Sequence, residues 1–183
     1  MRYLCVRFAL LSMLVCIPAL AQTQPSKPAP TAADSCETDP GFHKLDFWLG
    51  EWDVFVKDQK VGTNQIEKIL SGCAVTEYWT DADGSQGKSL FYYLPATKRW
   101  RQVWVTEQAH RTGGVKEKEL IEELKDGGLR FQGEIMFQTG KTYLDRTTLT
   151  PLSKDKVRQV IEFSMDGGKS WKPAFDAIYL RKD

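Results

Sequence analysis

The chain has 183 residues, with 25 basic and 24 acidic side chains interspersed along it. This balance excludes the concentrated basic surface that nucleic acids and anionic membranes require, so we expect neither as a partner. Four cysteines without a CxxC pair, and only two histidines, make a poor ligand set for structural zinc.

The first 21 residues have the three parts of a secretory signal peptide. Arg2 and Arg7 form the positive start, residues 8–17 form a short apolar run, and the sequence ALA at 19–21 fits the cleavage pattern. The apolar run is too short for a bilayer-spanning helix, which needs about 20 residues. A retained membrane anchor is the alternative interpretation. We expect cleavage after residue 21, export to the periplasm or beyond, and no stable anchor afterwards.

Residues 22–35 predict a flexible linker, because they contain three prolines and no large apolar side chain. The folded domain is therefore predicted to span residues 36–183. Two of the four cysteines are lost with the signal, which leaves Cys36 and Cys73. An even pair of cysteines in an oxidising compartment predicts a disulfide bond.

The folded part begins with a helix signal and continues as strands. Asp39-Pro40 predicts a short helix from Pro40 to Phe47. Beyond Gly50, stretches rich in apolar and β-branched residues alternate with turn residues and predict about ten strands. Residues 116–124 also fit a helix on propensity, but we assign a strand because they lie between two glycine turns. The predicted strands are residues 51–57, 62–70, 73–80, 88–94, 100–107, 118–125, 129–138, 142–150, 156–165 and 171–181.

Short, evenly spaced strands with hairpin turns predict an all-β, up-and-down antiparallel sheet. Because an open sheet would expose two edges, we expect it to close into a single barrel. A barrel of about ten strands is slightly wider than its own side chains can fill. This predicts a lumen that can hold a small ligand.

Candidate ligand-binding residues follow from the alternation of side chains along each strand. Trp100, Gln102 and Trp104 share one face of their strand, and Glu77 and Trp79 share a face of theirs. Core packing is one interpretation of these aromatics, and a partly polar pocket for a small apolar or amphipathic ligand is the other. The predicted lumen residues are Glu77, Trp79, Gln102, Trp104, Arg146 and Glu162.

Two carboxylates leave further functions open. Glu77 and Glu162 could form an acid–base pair for hydrolysis or isomerisation. Alternatively, they could belong to a buried network with Arg146 and Arg158, which we favour because charged groups inside a barrel usually pair. A ligand-binding protein is thus the leading hypothesis, an enzyme is the second, and a structural or interaction barrel without a ligand is the third.

The segment SMDGGKSW at 164–171 fits the Asp-box pattern S-x-D-x-G-x-[ST]-W that is known from sialidases. In those enzymes the box stabilises a β-hairpin: the Asp caps the turn, glycine permits positive φ and the Trp packs beneath the turn. A single copy predicts a stable hairpin between the last two strands rather than a catalytic site.

The run FWLGEWDV at 47–54 places a G-x-W at the head of the first strand. This arrangement resembles the opening of lipocalins and their calycin relatives, which implies a lipocalin-like barrel. The resemblance also implies that a basic residue of the last strand, here Arg181, packs on Trp52 through a cation–π contact.

The longer run LDFWLGEWDV resembles a group of uncharacterised exported bacterial proteins with an FDFWLGEWDV-like opening. That resemblance continues through most of the mature domain, as far as the segment SMDGGKSW. The function of that group is not established. The haem-binding nitrobindins share a ten-strand barrel, but they carry a G-x-W-x-G-x-G opening and a late histidine. This chain has no histidine after His110, so we expect no haem and no other cofactor.

Overall fold

The computed structural model describes residues 35–182. The predicted signal peptide, residues 1–21, lies outside the described residues, as does all but the last residue of the predicted linker. The described part is all-β apart from two short 3-10 helices, and its antiparallel strands form one closed barrel. This confirms the predicted fold class. None of the helices between residues 35 and 182 has the length and apolar character needed to cross a membrane.

The N-terminal helical segment consists of two 3-10 helices, Pro40–His43 and Asp46–Trp48, rather than the single predicted helix. Its start is as expected, since the Asp39 side chain accepts a hydrogen bond of 2.8 Å from the Gly41 backbone. Its buried side chains, Phe42, Leu45 and Trp48, are spaced three residues apart. Phe42 lies in the first helix, Leu45 lies between the two helices and Trp48 ends the second, and all three side chains are buried against the barrel.

Ten strands follow, and each pairs with its neighbours in the chain. The first strand, β1, also pairs with the last, β10, and this pairing closes the barrel with Trp52 opposite Arg181. The strands are β1 Gly50–Val56, β2 Gln59–Ile69, β3 Ala74–Asp81, β4 Gln86–Leu94, β5 Arg99–Thr106, β6 Val115–Glu123, β7 Leu129–Met136, β8 Thr142–Ser153, β9 Lys156–Ser164 and β10 Lys172–Arg181.

One end of the barrel, the closed end, is filled by an aromatic core. Trp48, Trp52 and Trp100 are fully buried there, together with Phe91 and Phe131. The indole N–H of Trp52 donates to the backbone oxygen of Trp48 over 2.8 Å, and that of Trp100 donates to a backbone oxygen of the helical segment over 2.9 Å. The helical segment is thereby attached to the barrel by apolar contacts and by hydrogen bonds.

The predicted disulfide between Cys36 and Cys73 is confirmed. Cys36 lies just before the first 3-10 helix, and Cys73 immediately precedes β3, at the closed end. The two residues are 37 positions apart in the chain. The bond therefore fixes the start of the folded domain to the strand that carries Glu77.

Arg181 lies over the ring of Trp52, in the contact that the G-x-W opening implies. The guanidinium carbon is 4.2 Å from the centre of the ring, and Nη1 donates to the backbone oxygen of Leu49 over 2.8 Å. Gly50 makes this approach possible. Its φ is 122°, and a Cβ at this position would lie 2.3 Å from Nη1 of Arg181.

The predicted hairpin between β9 and β10 is organised by Asp166. Its two carboxylate oxygens accept hydrogen bonds from the Ser170 hydroxyl at 2.6 Å, the Ser170 backbone at 2.9 Å and the Ser164 hydroxyl at 2.8 Å. These hydrogen bonds, above all those from Ser170, lower the pKa of Asp166 to about 2. Trp171 completes the hairpin by donating to the Gly168 backbone over 3.1 Å. The segment is thus a turn device, as its sequence pattern indicates.

Candidate functional site

A cavity of about 340 Å³ occupies the barrel at the end opposite the aromatic core. It extends from buried side chains such as Glu77 and Gln102 to the exposed residues Asp81 and Ala174. The barrel is therefore not filled solid, and its lumen opens at this end, which we call the mouth.

The wall of the cavity near the mouth is mainly aromatic. Glycines on neighbouring strands leave the space that its two tryptophan rings occupy. A Cβ at Gly87 would lie 2.4 Å from the ring of Trp104, and a Cβ at Gly62 would lie 2.6 Å from the ring of Trp79. Each indole therefore lies directly against the backbone of a neighbouring strand. Because the rings lie along the wall, the centre of the lumen stays open. The remaining wall residues are Ile161, Phe163 and Phe175.

Below this wall the cavity ends on six polar side chains, each from a different strand. We call this set the floor. Its aliphatic and aromatic carbons continue the wall, while its oxygen and nitrogen atoms introduce polar groups into a buried part of the barrel. The floor consists of Glu77, Gln102, Lys118, Thr147, Gln159 and Tyr179.

Glu77 lies at the centre of a directional hydrogen-bond network. Its Oε1 accepts from the Asn64 amide over 2.8 Å, and its Oε2 accepts from the Ser89 hydroxyl over 2.6 Å. The Gln102 amide nitrogen in turn donates to the Ser89 oxygen over 3.0 Å. Burial raises the pKa of Glu77, and the bonds from Ser89 and Asn64, with the nearby charge of Lys118, oppose that rise.

The cations of the cavity are paired with a single buried carboxylate. Lys118 donates to Asp145 and, over 2.6 Å, to the hydroxyl of Thr147, while Lys116 donates to the other oxygen of Asp145 over 2.6 Å. Asp145 is completely buried. Burial lowers the pKa of Lys118 to about 8, against the opposing attraction of Asp145. Neither ammonium group is therefore free of a carboxylate partner.

Four of the six predicted lumen residues line this cavity: Glu77, Trp79, Gln102 and Trp104. Their common position agrees with the face assignments made for β3 and β5 from side-chain alternation. Whether they contact a ligand stays a prediction.

The predicted lumen position of Arg146 and Glu162 is wrong. Asp145 and Thr147 face inward on β8, so Arg146 between them points outward, where its Nε lies 2.7 Å from Glu162. The guanidinium carbon of Arg146 also lies 3.9 Å from the centre of the Trp171 ring. This pair stabilises the outer surface of the β8–β9 hairpin.

The error on β9 came from choosing the wrong face. Gln159, Ile161 and Phe163 line the cavity, whereas the sequence analysis placed the face carrying Arg158 and Glu162 inside. The inward face is the more apolar of the two, and this difference was visible in the sequence. Arg158 instead forms a 2.7 Å ion pair with Asp176 on the outer surface, so the predicted buried Glu–Arg network does not form.

Sequence analysis also missed several residues of the cavity. Alternation along β6 relates Lys116, Lys118 and the buried Leu120, and it would have placed both lysines inside. The high charge of this strand concealed that pattern. The pairing of Lys118 with Asp145 could not be foreseen, because it depends on the register of strands that are not neighbours.

Within residues 35–182 there is no group of three or more His, Cys, Asp or Glu side chains that could hold a metal ion. No protein-family model matches this chain, and no curated protein matches it either. The function is therefore inferred from the chemistry of the cavity.

Proposed function

We propose that this protein is an exported binding protein that holds a small amphipathic ligand in its barrel lumen. We further propose that it belongs with the exported lipocalin-like proteins that its LDFWLGEWDV opening resembles. The observation that carries the binding proposal is the cavity itself, which combines an aromatic wall near the mouth with a buried polar floor.

The distribution of polarity favours a ligand with two chemically different ends. Transfer of apolar ligand surface from water to the wall contributes roughly 25 cal/mol per Å². The few polar groups of the floor would orient the ligand's polar end, as in most small-molecule sites. A uniformly polar ligand would leave the wall unused, and a pure hydrocarbon would leave floor groups without hydrogen-bond partners.

Export is supported by two independent features. The first 21 residues have the composition of a signal peptide. The Cys36–Cys73 bond is of a kind that persists in oxidising compartments and is rare in the cytosol. We propose that the mature protein works in the periplasm or outside the cell.

Binding can be tested with N-phenyl-1-naphthylamine, a neutral apolar dye that fluoresces strongly when it leaves water. We expect saturable binding to the mature protein, with energy transfer from the tryptophans of the wall. Trp104→Ala should weaken binding at least about tenfold, equivalent to about 1.4 kcal/mol. Trp171→Ala is the matched control, because Trp171 lies on the outer hairpin against Arg146, and its affinity should equal that of the unaltered protein.

The proposal is refuted if the unaltered protein binds neither this dye nor other apolar probes. It is also refuted if Trp104→Ala and Trp171→Ala change the affinity equally, since binding would then not depend on the lumen. Circular dichroism of each variant verifies that the barrel has folded.

A second candidate function is acid–base catalysis by Glu77. It is favoured by one observation, the position of a buried carboxyl that lines the cavity beside Lys118, where burial raises its pKa. Both carboxylate oxygens already accept hydrogen bonds from protein groups, which favours a structural and orienting role. Glu162, the other carboxylate considered from sequence, lies on the outer surface and is no longer part of this candidate.

A further inference from the structure

We propose that the buried end of the ligand carries a hydroxyl group that donates a hydrogen bond to Oε1 of Gln102, and that the floor discriminates against carboxylates. This inference rests on the proposed binding function and narrows it to one ligand class, amphipathic alcohols. It follows from proton counting in the network, from the burial of Gln102 and from the arrangement of charges.

The direction of the network is fixed by the Ser89 hydroxyl. That group has one proton, which it donates to Glu77 over 2.6 Å. Its oxygen must therefore act as an acceptor towards Gln102, which only the amide nitrogen of Gln102 can satisfy. The observed contact of 3.0 Å has this polarity. The other end of the amide, Oε1, is consequently held away from Ser89.

Oε1 of Gln102 is a buried acceptor without a partner among the described residues. Gln102 is only 7% exposed and lines the cavity. Leaving such an acceptor unpaired beneath an apolar ligand is unfavourable, because its hydrogen bond to water is lost and not replaced. A ligand that donates a hydrogen bond at this point avoids that cost, and one without a donor does not.

The floor also offers a complementary donor to a hydroxyl oxygen. The Tyr179 hydroxyl donates to Oε1 of Gln159 over 2.6 Å, which fixes the orientation of that amide. Its amino group is then the polar end left to donate to a ligand, and Gln159 lines the same cavity as Gln102. An alcohol can act as donor and acceptor at once, so it can use both amides.

The charges around the floor are unfavourable for an anion. The carboxylates are Glu77, Asp145 and, at the mouth, Asp81, against the ammonium groups of Lys116 and Lys118. Three acids against two bases give a net charge of −1 when all are ionised. Lys116 and Lys118 already share Asp145, and a ligand carboxylate has no proton to donate, so it would place a second acceptor against Oε1 of Gln102.

The test compares three molecules of similar length: decan-1-ol, decyl methyl ether and decanoate. The ether is neutral but lacks the donor, so it separates the need for a hydrogen bond from the rejection of charge. Isothermal titration calorimetry of the mature protein at neutral pH should show the alcohol binding about tenfold or more tightly than either of the others. Displacement of N-phenyl-1-naphthylamine verifies that the alcohol occupies the lumen.

Gln102→Met retains the size of the side chain and removes its acceptor. It should abolish the preference of alcohol over ether, whereas Gln65→Met, on the exposed outer face of β2, should retain it. Equal or tighter binding of the ether or decanoate by the unaltered protein overturns the inference, even if Gln102→Met does not fold. Such a result would leave the proposed binding function standing. Failure of all three molecules and of the dye to bind overturns both.

Discussion

Glu77 is a carboxyl group buried inside the barrel, where its ionised form is poorly solvated. Burial disfavours its ionised form and raises its pKa, and the two donated hydrogen bonds only partly offset this effect. An acid whose pKa is higher in the folded chain binds more protons when folded than when unfolded. Its contribution to stability is therefore fully present below the unfolded pKa and is lost as the pH rises through the folded pKa.

The raised pKa of Glu77 predicts a measurable pH dependence of the unfolding free energy. The Glu77→Gln variant lacks the titrating group. As the pH rises above about 4.5, the ordinary pKa of glutamate, the unaltered protein should therefore lose unfolding free energy relative to this variant. Within the window between the two pKa values the change approaches about 1.4 kcal/mol per pH unit. Urea titrations from pH 4 to 8 measure it. Parallel stability profiles would show that Glu77 titrates normally.

At the scale of elements, the helical segment is too short to be stable alone and depends on its attachments. Two 3-10 helices of four and three residues have little intrinsic stability. Their buried aromatic side chains and the Cys36–Cys73 bond hold them over the closed end. The disulfide thus belongs to the end of the barrel that the proposed ligand does not enter.

We expect the Cys36→Ser/Cys73→Ser double variant to lose about 3–4 kcal/mol of unfolding free energy, from the entropy of the loop that the bond closes. Chemical denaturation measures this loss, and the reduced unaltered protein is the matched control. Dye binding at a temperature where the variant is folded should be retained, because the cavity lies at the other end. Unchanged stability would show that the bond contributes nothing to the folded domain.

The order of the elements could be predicted from sequence because turn residues separate every pair of strands. Even the highly charged β6 was assigned correctly, since two glycine turns bound it. The short helix predicted near residues 40–47 is present as 3-10 helix, a type that general capping signals do not specify.

At the scale of the whole molecule, barrel closure joins the two ends of the folded chain. Arg181 of β10 contacts the Trp52 ring and the backbone before β1, and its Nη2 donates to the Lys154 backbone over 3.1 Å. One side chain therefore connects the first strand, the last strand and the turn between β8 and β9. Loss of this contact should weaken closure rather than a single hairpin.

Trp52→Ala should lower the unfolding free energy by about 3–5 kcal/mol, since the indole is fully buried at the closing seam. Trp171→Ala provides the comparison. In the unaltered protein Arg146 packs over the Trp171 ring, but this ring is partly exposed and belongs to a single hairpin. Its loss should be clearly smaller in the same denaturation experiment. Equal losses in the two variants would contradict a special role for the seam.

The candidate site was harder to predict than the fold. Strand alternation identifies two faces but not which of them is inward, and this choice failed on β8 and β9, where both faces mix polar and apolar residues. It succeeded on β5, where Trp100, Gln102 and Trp104 fall on one face. The floor joins six different strands, so its network depends on the closed three-dimensional arrangement rather than on local sequence.

The up-and-down topology assigns the hairpins alternately to the two ends of the barrel. The β1–β2, β3–β4, β5–β6, β7–β8 and β9–β10 turns surround the mouth, while the other four turns share the closed end with the helical segment. Changes in length or sequence at the mouth therefore leave the aromatic core untouched. Natural or engineered variants can therefore change which molecules enter the lumen by exchanging the five mouth loops. The packing of the aromatic core that stabilises the fold stays the same.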